Sequence, residues 1–231
     1  MGPVKKAFTL AEVLVTLTII GVVSAMTIPS LKNNVDERTF RSQLLKTYST
    51  IKAAEQAANT DEEPFFDSNV LGLNSYYAEN YENIKKYFKL HDIHKSKLGS
   101  GGGWVQLGKL YSEERFDVAT EVKGLNGQTC LRGDANSYAF RLADGSIVAF
   151  MIADNWPWYV YIDVNGPKKP NIVGKDVFLL TSHPNWNWTL MPAGHIRENF
   201  LGIKNTCKLN SSGLSCASEI IKNPNFKIPK N

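Results

Sequence analysis

The chain has 231 residues, 43% of them hydrophobic and 21% charged, enough to bury one sizeable core beyond any N-terminal helix. Its formal net charge of +4 is modest, and its lysines are scattered (Lys85, Lys86, Lys95, Lys97, Lys168, Lys169) rather than gathered on one basic helix. That distribution argues against nucleic-acid binding, and no internal repeat suggests a solenoid.

Two lysines, Lys5 and Lys6, precede a run in which Glu12 is the only charged residue until Lys32. Residues 8–28 reach the length of roughly 20 residues that an α-helix needs to cross a bilayer. A charged side chain deep in a bilayer costs on the order of 3 kcal/mol and is normally kept for a function, so Glu12 needs a reason. A secretory signal peptide would explain the basic start, the apolar core and the small residues Val23-Ser24-Ala25, but its core should be apolar where Glu12 stands. An uncleaved signal anchor is a further alternative. The charge asymmetry places the N-terminus in the cytoplasm and everything after Pro29 outside.

The segment Lys5-Lys6-Ala7-Phe8-Thr9-Leu10-Ala11-Glu12-Val13-Leu14 resembles the N-terminal signal of type IV pilins and type II secretion pseudopilins. The resemblance implies a leader at residues 1–7, cut by a prepilin peptidase between Ala7 and Phe8, followed by methylation of the new N-terminal Phe8. The family prefers Gly before the cut, where this chain has Ala7. It also implies that Glu12 is the family's assembly glutamate and that Pro29 is its helix-loosening proline. The physics agrees: cleavage leaves Phe8 an α-amino group that carries positive charge after methylation. In a low-dielectric bundle of helices, Glu12 of one subunit can pair with the Phe8 amine of a neighbour, which offsets part of the burial cost and sets the axial stagger.

The helix is expected to continue beyond Pro29, which kinks or opens a helix without necessarily ending it. Leu31, Val35, Phe40, Leu44, Tyr48, Ile51 and Ala54 recur at helical spacing with charged residues between them. One helix over residues 8–58 would be roughly 75 Å long. A polar break at Asn59-Thr60-Asp61-Glu62-Glu63-Pro64 closes it and opens the head, residues 59–231.

In the head, residues 76–90 mix tyrosines, apolar and charged residues and read as a second helix, whole or broken. The glycine run at 99–103 lacks the Gly-Lys-Ser/Thr ending of a phosphate-binding loop. Residues 137–142, the turn Asp144-Gly145 and residues 146–152 predict a β-hairpin. Residues 158–164 continue that sheet, and residues 176–180 offer another strand. The stretch between them also looks like an Asp-Val-Asn-Gly…Pro-Asn…Gly-x-Asp-x-Phe segment of pseudopilin-like heads. Oxygens of Asp163, Asn165 and Asp176 could converge on Ca²⁺. The spacing is not that of an EF-hand, and a surface loop using Asn-Gly and Asp for backbone bonding explains the same residues. No cofactor is assigned.

Cys207 and Cys216 flank a turn-rich segment that could close a hairpin with a disulfide, which an extracytoplasmic head permits. Spacing alone leaves other pairings with Cys130 open; the pilin resemblance favours Cys207–Cys216 and leaves Cys130 a buried thiol. Residues 226–231 read as a short tail lying on the head. Catalysis has little support. His91 and His94 could share a helical face, but no third metal ligand has a compelling spacing, so a polar helix end is the simpler reading. His183 and His195 accompany no nucleophile motif. Trp156, Trp158, Trp186 and Trp188 form two Trp-x-Trp pairs that suit either alternate strand positions or a ligand-stacking surface.

The expectation is therefore an α+β, pilin-like chain and not an enzyme: a long N-terminal helix, transmembrane over residues 8–28, packed on a globular head with an antiparallel β-sheet. Its work would be assembly into a type II secretion pseudopilus or a type IV pilus-like filament, as a pseudopilin or minor pilin. Its partners would be the prepilin peptidase, sister subunits and the platform in the inner membrane. The competing class is a secreted or membrane-anchored binding protein whose Trp-rich head takes up carbohydrate or another partner.

Overall fold

The computed structural model describes residues 8–63, 86–88, 90–94, 122–128, 136–152, 158–166, 168–182, 189–195, 203–223 and 225–229. The leader with Ala7, most of the helix expected at 76–90, the glycine run, Cys130, His183, Trp156, Trp186 and Trp188 lie outside them. Helix α1 spans Leu10–Thr60 and passes through Pro29. Proline removes only the donor to the carbonyl four residues back, and the turns on either side stay helical. In the apolar half, Thr16, Thr18 and Thr27 donate their hydroxyls to the carbonyls of Val13, Leu14 and Val23 at 2.9, 2.8 and 2.9 Å. These polar groups are thus satisfied inside the helix.

Contacts divide the chain into two compact units, Met1–Thr39 and Phe40–Asn231. The second holds the C-terminal part of α1 together with the head. Leu44, Thr47, Ile51, Ala54 and Ala58 are buried, with Phe40 and Tyr48 partly so. This is the amphipathic stripe expected from the sequence, except at its start: Leu31 and Val35 are exposed, and the buried face begins only at Phe40.

Among the described residues, six antiparallel strands form one sheet in sequence order: β1 (Leu90–His94), β2 (Asn136–Leu142), β3 (Ile147–Ile152), β4 (Trp158–Asp163), β5 (Val177–Ser182) and β6 (Met191–Pro192). The β2–β3 hairpin turns as predicted. Gly145 takes φ +87°, a left-handed conformation that glycine adopts without strain, and Asp144 Oδ1 accepts from the Ser146 amide at 3.1 Å. Leu90, His91 and His94 belong to a strand, not to a helix or its end, so the helical spacing that would have joined the two histidines does not exist. Among the described residues a short helix, α2 (Cys216–Lys222), follows the cysteine loop, for which a hairpin was expected.

Cross-strand pairs carry the core. Val148 faces Ile162, Ile162 faces Phe178 and Val160 faces Leu180, all five buried in one cluster with Leu44, Ile51, Ala54 and Ala58 of α1. Ala217 and Ile220 of α2 join it, as does Ile228 of the expected C-terminal tail. One carboxylate enters this apolar face. Glu55 is buried; its Oε1 accepts the Leu190 amide at 2.7 Å and its Oε2 meets the Lys52 ammonium. Lys52 Nζ in turn donates to the Leu190 carbonyl at 3.3 Å. Two helix side chains thus satisfy both backbone polar groups of Leu190, the residue leading into β6.

Removing Glu55 would leave the Leu190 amide without its acceptor and the Lys52 ammonium, largely buried, without its carboxylate. Glu55→Ala should cost about 2–4 kcal/mol, seen as a melting midpoint lower by about 5–10 °C. Lys46, 64% exposed in its 2.9 Å pair with Asp144, is the control: Lys46→Ala should cost less than about 1 kcal/mol. Equal midpoints for the two variants would contradict the assignment of Glu55 as the pin between α1 and β6.

Candidate functional site

The first turn of α1 is built around Thr9 and Glu12. Glu12 Oε2 accepts from the Thr9 amide at 2.8 Å and from the Thr9 hydroxyl at 2.8 Å, while the Glu12 amide donates to Thr9 Oγ1 at 3.3 Å. This is a reciprocal capping box, which satisfies helix-start donors that have no intrahelical acceptor. The Thr-x-x-Glu spacing announces it in the sequence, a signal distinct from the charge of Glu12. Both bonds use Oε2, and Oε1 takes part in neither. A carboxylate at a helix N-terminus also meets the positive end of the macrodipole, so Glu12 gains something from α1 itself.

Behind this turn the helix offers apolar surface on every side. Leu10, Leu14, Leu17, Ile19, Ile20, Val22 and Val23 are all exposed, and Phe8 is 85% exposed. The stretch Leu10–Pro29 is long and apolar enough to cross a membrane. A run of exposed side chains this large needs a nonaqueous surrounding or like helices.

A second constellation lies where β4 ends and β5 begins. Asp163 and Asp176 are both fully buried, as is Asn171 between them in sequence. Asp176 accepts from the amides of Asn171 (2.8 Å) and Ile172 (2.7 Å), and its carbonyl accepts from the Val164 amide at 2.9 Å. Asp163 Oδ1 accepts from the Asn165 amide at 3.2 Å, while its Oδ2 has no hydrogen-bond partner. Burial, reinforced by the charge of Asp176, pushes the Asp163 carboxyl well above the usual carboxylate range. Burial likewise raises Asp176 to about 6, against the pull of its backbone donors. The three residues singled out from the sequence are therefore brought together, with Asn171 as an addition. Asn171, the Asn of the Pro-Asn pair in that segment, adopts φ +51°, tolerable for Asn.

This loop is docked on the cysteine loop. Cys207 and Cys216 form a disulfide. Gly213, at φ +80°, comes so close that a Cβ there would fall 2.2 Å from the Val173 carbonyl oxygen, and a Cβ on Gly174 would fall 2.7 Å from Cys216 Sγ. Only bare backbone fits on both sides of this contact.

No curated protein and no solved structure matches the chain. Residues 3–28 match the family model described as the prokaryotic N-terminal methylation motif. The capped, apolar start of α1 thus lies within a prepilin-type signal of type IV pilins and pseudopilins, which supports a pilin-like or pseudopilin subunit.

Proposed function

We propose that this chain is a pseudopilin or minor pilin, processed by a prepilin peptidase and assembled into a type II secretion pseudopilus or a type IV pilus-like filament. The observation that carries the reading is an apolar helix, exposed along Leu10–Pro29, that begins with a carboxylate inside a methylation motif. Before assembly that helix anchors the subunit in the inner membrane, with Lys5 and Lys6 on the cytoplasmic side and the head outside. Cleavage between Ala7 and Phe8 then exposes the Phe8 amine.

In the single subunit Glu12 is held by Thr9 of its own chain, through one carboxylate oxygen. In the filament the other oxygen takes the methylated amine of a neighbouring Phe8, and the apolar flanks of the helices cover one another. Burying one large apolar side chain yields roughly 1.5–3 kcal/mol, so lateral packing supplies most of the affinity. The Glu12 pair supplies register, because a buried carboxylate left without its cation is strongly penalised. The head, with its own core, remains outside the bundle as the filament surface.

Glu12→Ala should reduce the subunit in sheared, sedimented filaments at least tenfold while the amount in the membrane stays unchanged; equal incorporation would overturn the reading. Thr9→Val isolates the cap. Loss of an N-cap costs about 1 kcal/mol, so exchange of the Glu12 amide, which donates to Thr9 Oγ1, should quicken about fivefold in detergent micelles. Exchange at the wild-type rate would mean that the capping box does not hold the first turn.

A further inference from the structure

Among the described residues, four of the nine buried side-chain polar atoms without a hydrogen-bond partner fall in one short loop: Asp163 Oδ2, Asn165 Oδ1 and both Asn171 side-chain atoms. Buried polar atoms are normally satisfied, and a concentration of orphans in one place asks what they serve. Three of the four are oxygens. They accompany two fully buried carboxylates, and among the described residues no lysine, arginine or histidine forms a salt bridge with either. Two acids buried together with no cation is an arrangement that electrostatics opposes.

We propose that Asp163, Asn165, Asn171 and Asp176 form a binding site for a calcium ion, closing the junction between β4 and β5. The residues converge through the backbone. The Asn165 amide bonds to Asp163, the Asn171 amide bonds to Asp176, and the Val164 amide bonds to the Asp176 carbonyl. The Asn165 side chain also lies against the Asp176 carboxylate. Its Nδ2 donates to the Lys169 carbonyl at 3.4 Å, while its buried Oδ1 has no hydrogen-bond partner. Each oxygen of Asp176 accepts one backbone amide.

The chemistry of this set selects the ion. All candidate ligands are oxygens, and residues 163–177 contain no histidine or cysteine, so zinc and the softer metals are poorly served. Magnesium demands near-octahedral geometry and keeps several waters, which a fully buried, amide-rich pocket does not favour. Calcium accepts irregular sets of six to eight oxygens from carboxylates, side-chain amides, carbonyls and water. A proton held between the two aspartates would remove one charge, but it would leave Asn165 Oδ1 and the Asn171 amide without partners. A cation answers both the charge and the orphaned oxygens. Through Gly174 against Cys216, the same ion would stiffen the seat of the disulfide loop.

The test uses the full chain in detergent micelles, stripped with a chelator and titrated with CaCl₂ alone, with MgCl₂ and NaCl as controls. Calcium should raise the melting midpoint saturably, by about 5 °C at a hundredfold excess over its dissociation constant. Asp163→Asn should fold with a metal-free midpoint at or above that of the wild type, since a buried charge is gone, and should lose the calcium shift. Asn171→Gly keeps the positive φ accessible and should weaken calcium binding about tenfold. The proposal is overturned if calcium leaves the wild-type midpoint unchanged, if magnesium matches it, or if Asp163→Asn keeps the full shift.

Discussion

Between Leu10 and Pro29 the chain carries apolar surface that its own core does not cover, and the rest of the molecule is arranged around that cost. Each exposed Leu or Ile forgoes roughly 1.5–3 kcal/mol of burial. The eleven exposed large apolar side chains between Leu10 and Ile28 could not be carried through water by a domain whose net stability is of the order of 10 kcal/mol. The surface must be covered by lipid, by like helices, or by one and then the other. A single charged side chain, Glu12, interrupts it, and that residue is already engaged in capping the helix on which it sits. A carboxylate placed there weakens simple anchoring and strengthens selective pairing.

The second half of α1 obeys the opposite constraint. From Phe40 onward one face is buried against the sheet, and the polar pair Lys52–Glu55 is tied to the Leu190 peptide. The helix therefore serves two surroundings in succession, with Pro29 and the exposed Leu31 and Val35 in between. In the head, the meandering sheet supplies a continuous core. The loop between β4 and β5 departs from that regularity: it is fixed by Asp176 capping two amides, by glycine-to-backbone contact with the cysteine loop, and by buried oxygens that hydrogen bonds do not satisfy.

Much of this was legible in the residue order, and the parts that were not share a cause. The long helix showed itself through period and composition, and the β2–β3 hairpin through alternation around Asp144-Gly145; both signals are local. Strand β1 was not legible, because Leu-His-Asp-Ile-His carries no alternation, and its pairing with β2, some forty residues on, makes it a strand. The two-residue β6 and the short α2 likewise owe their form to tertiary packing. Glu55 could have been suspected as a charge at the spacing of Ile51 and Ala58, on the buried face. Asn171 stands in the Pro-Asn pair of the quoted segment, but its burial depends on Asp176 folding back to accept its amide.

The central claim is that residues 1–7 are a leader and that Phe8 begins the working subunit. The most direct measurement is the mass of the N-terminal peptide of protein purified from membranes of a host with a prepilin peptidase. A peptide that starts at Phe8 and is heavier by one methyl group is the predicted result. A chain beginning near Met26 would show ordinary signal cleavage, and an intact Met1 would show an anchor; either would contradict the account.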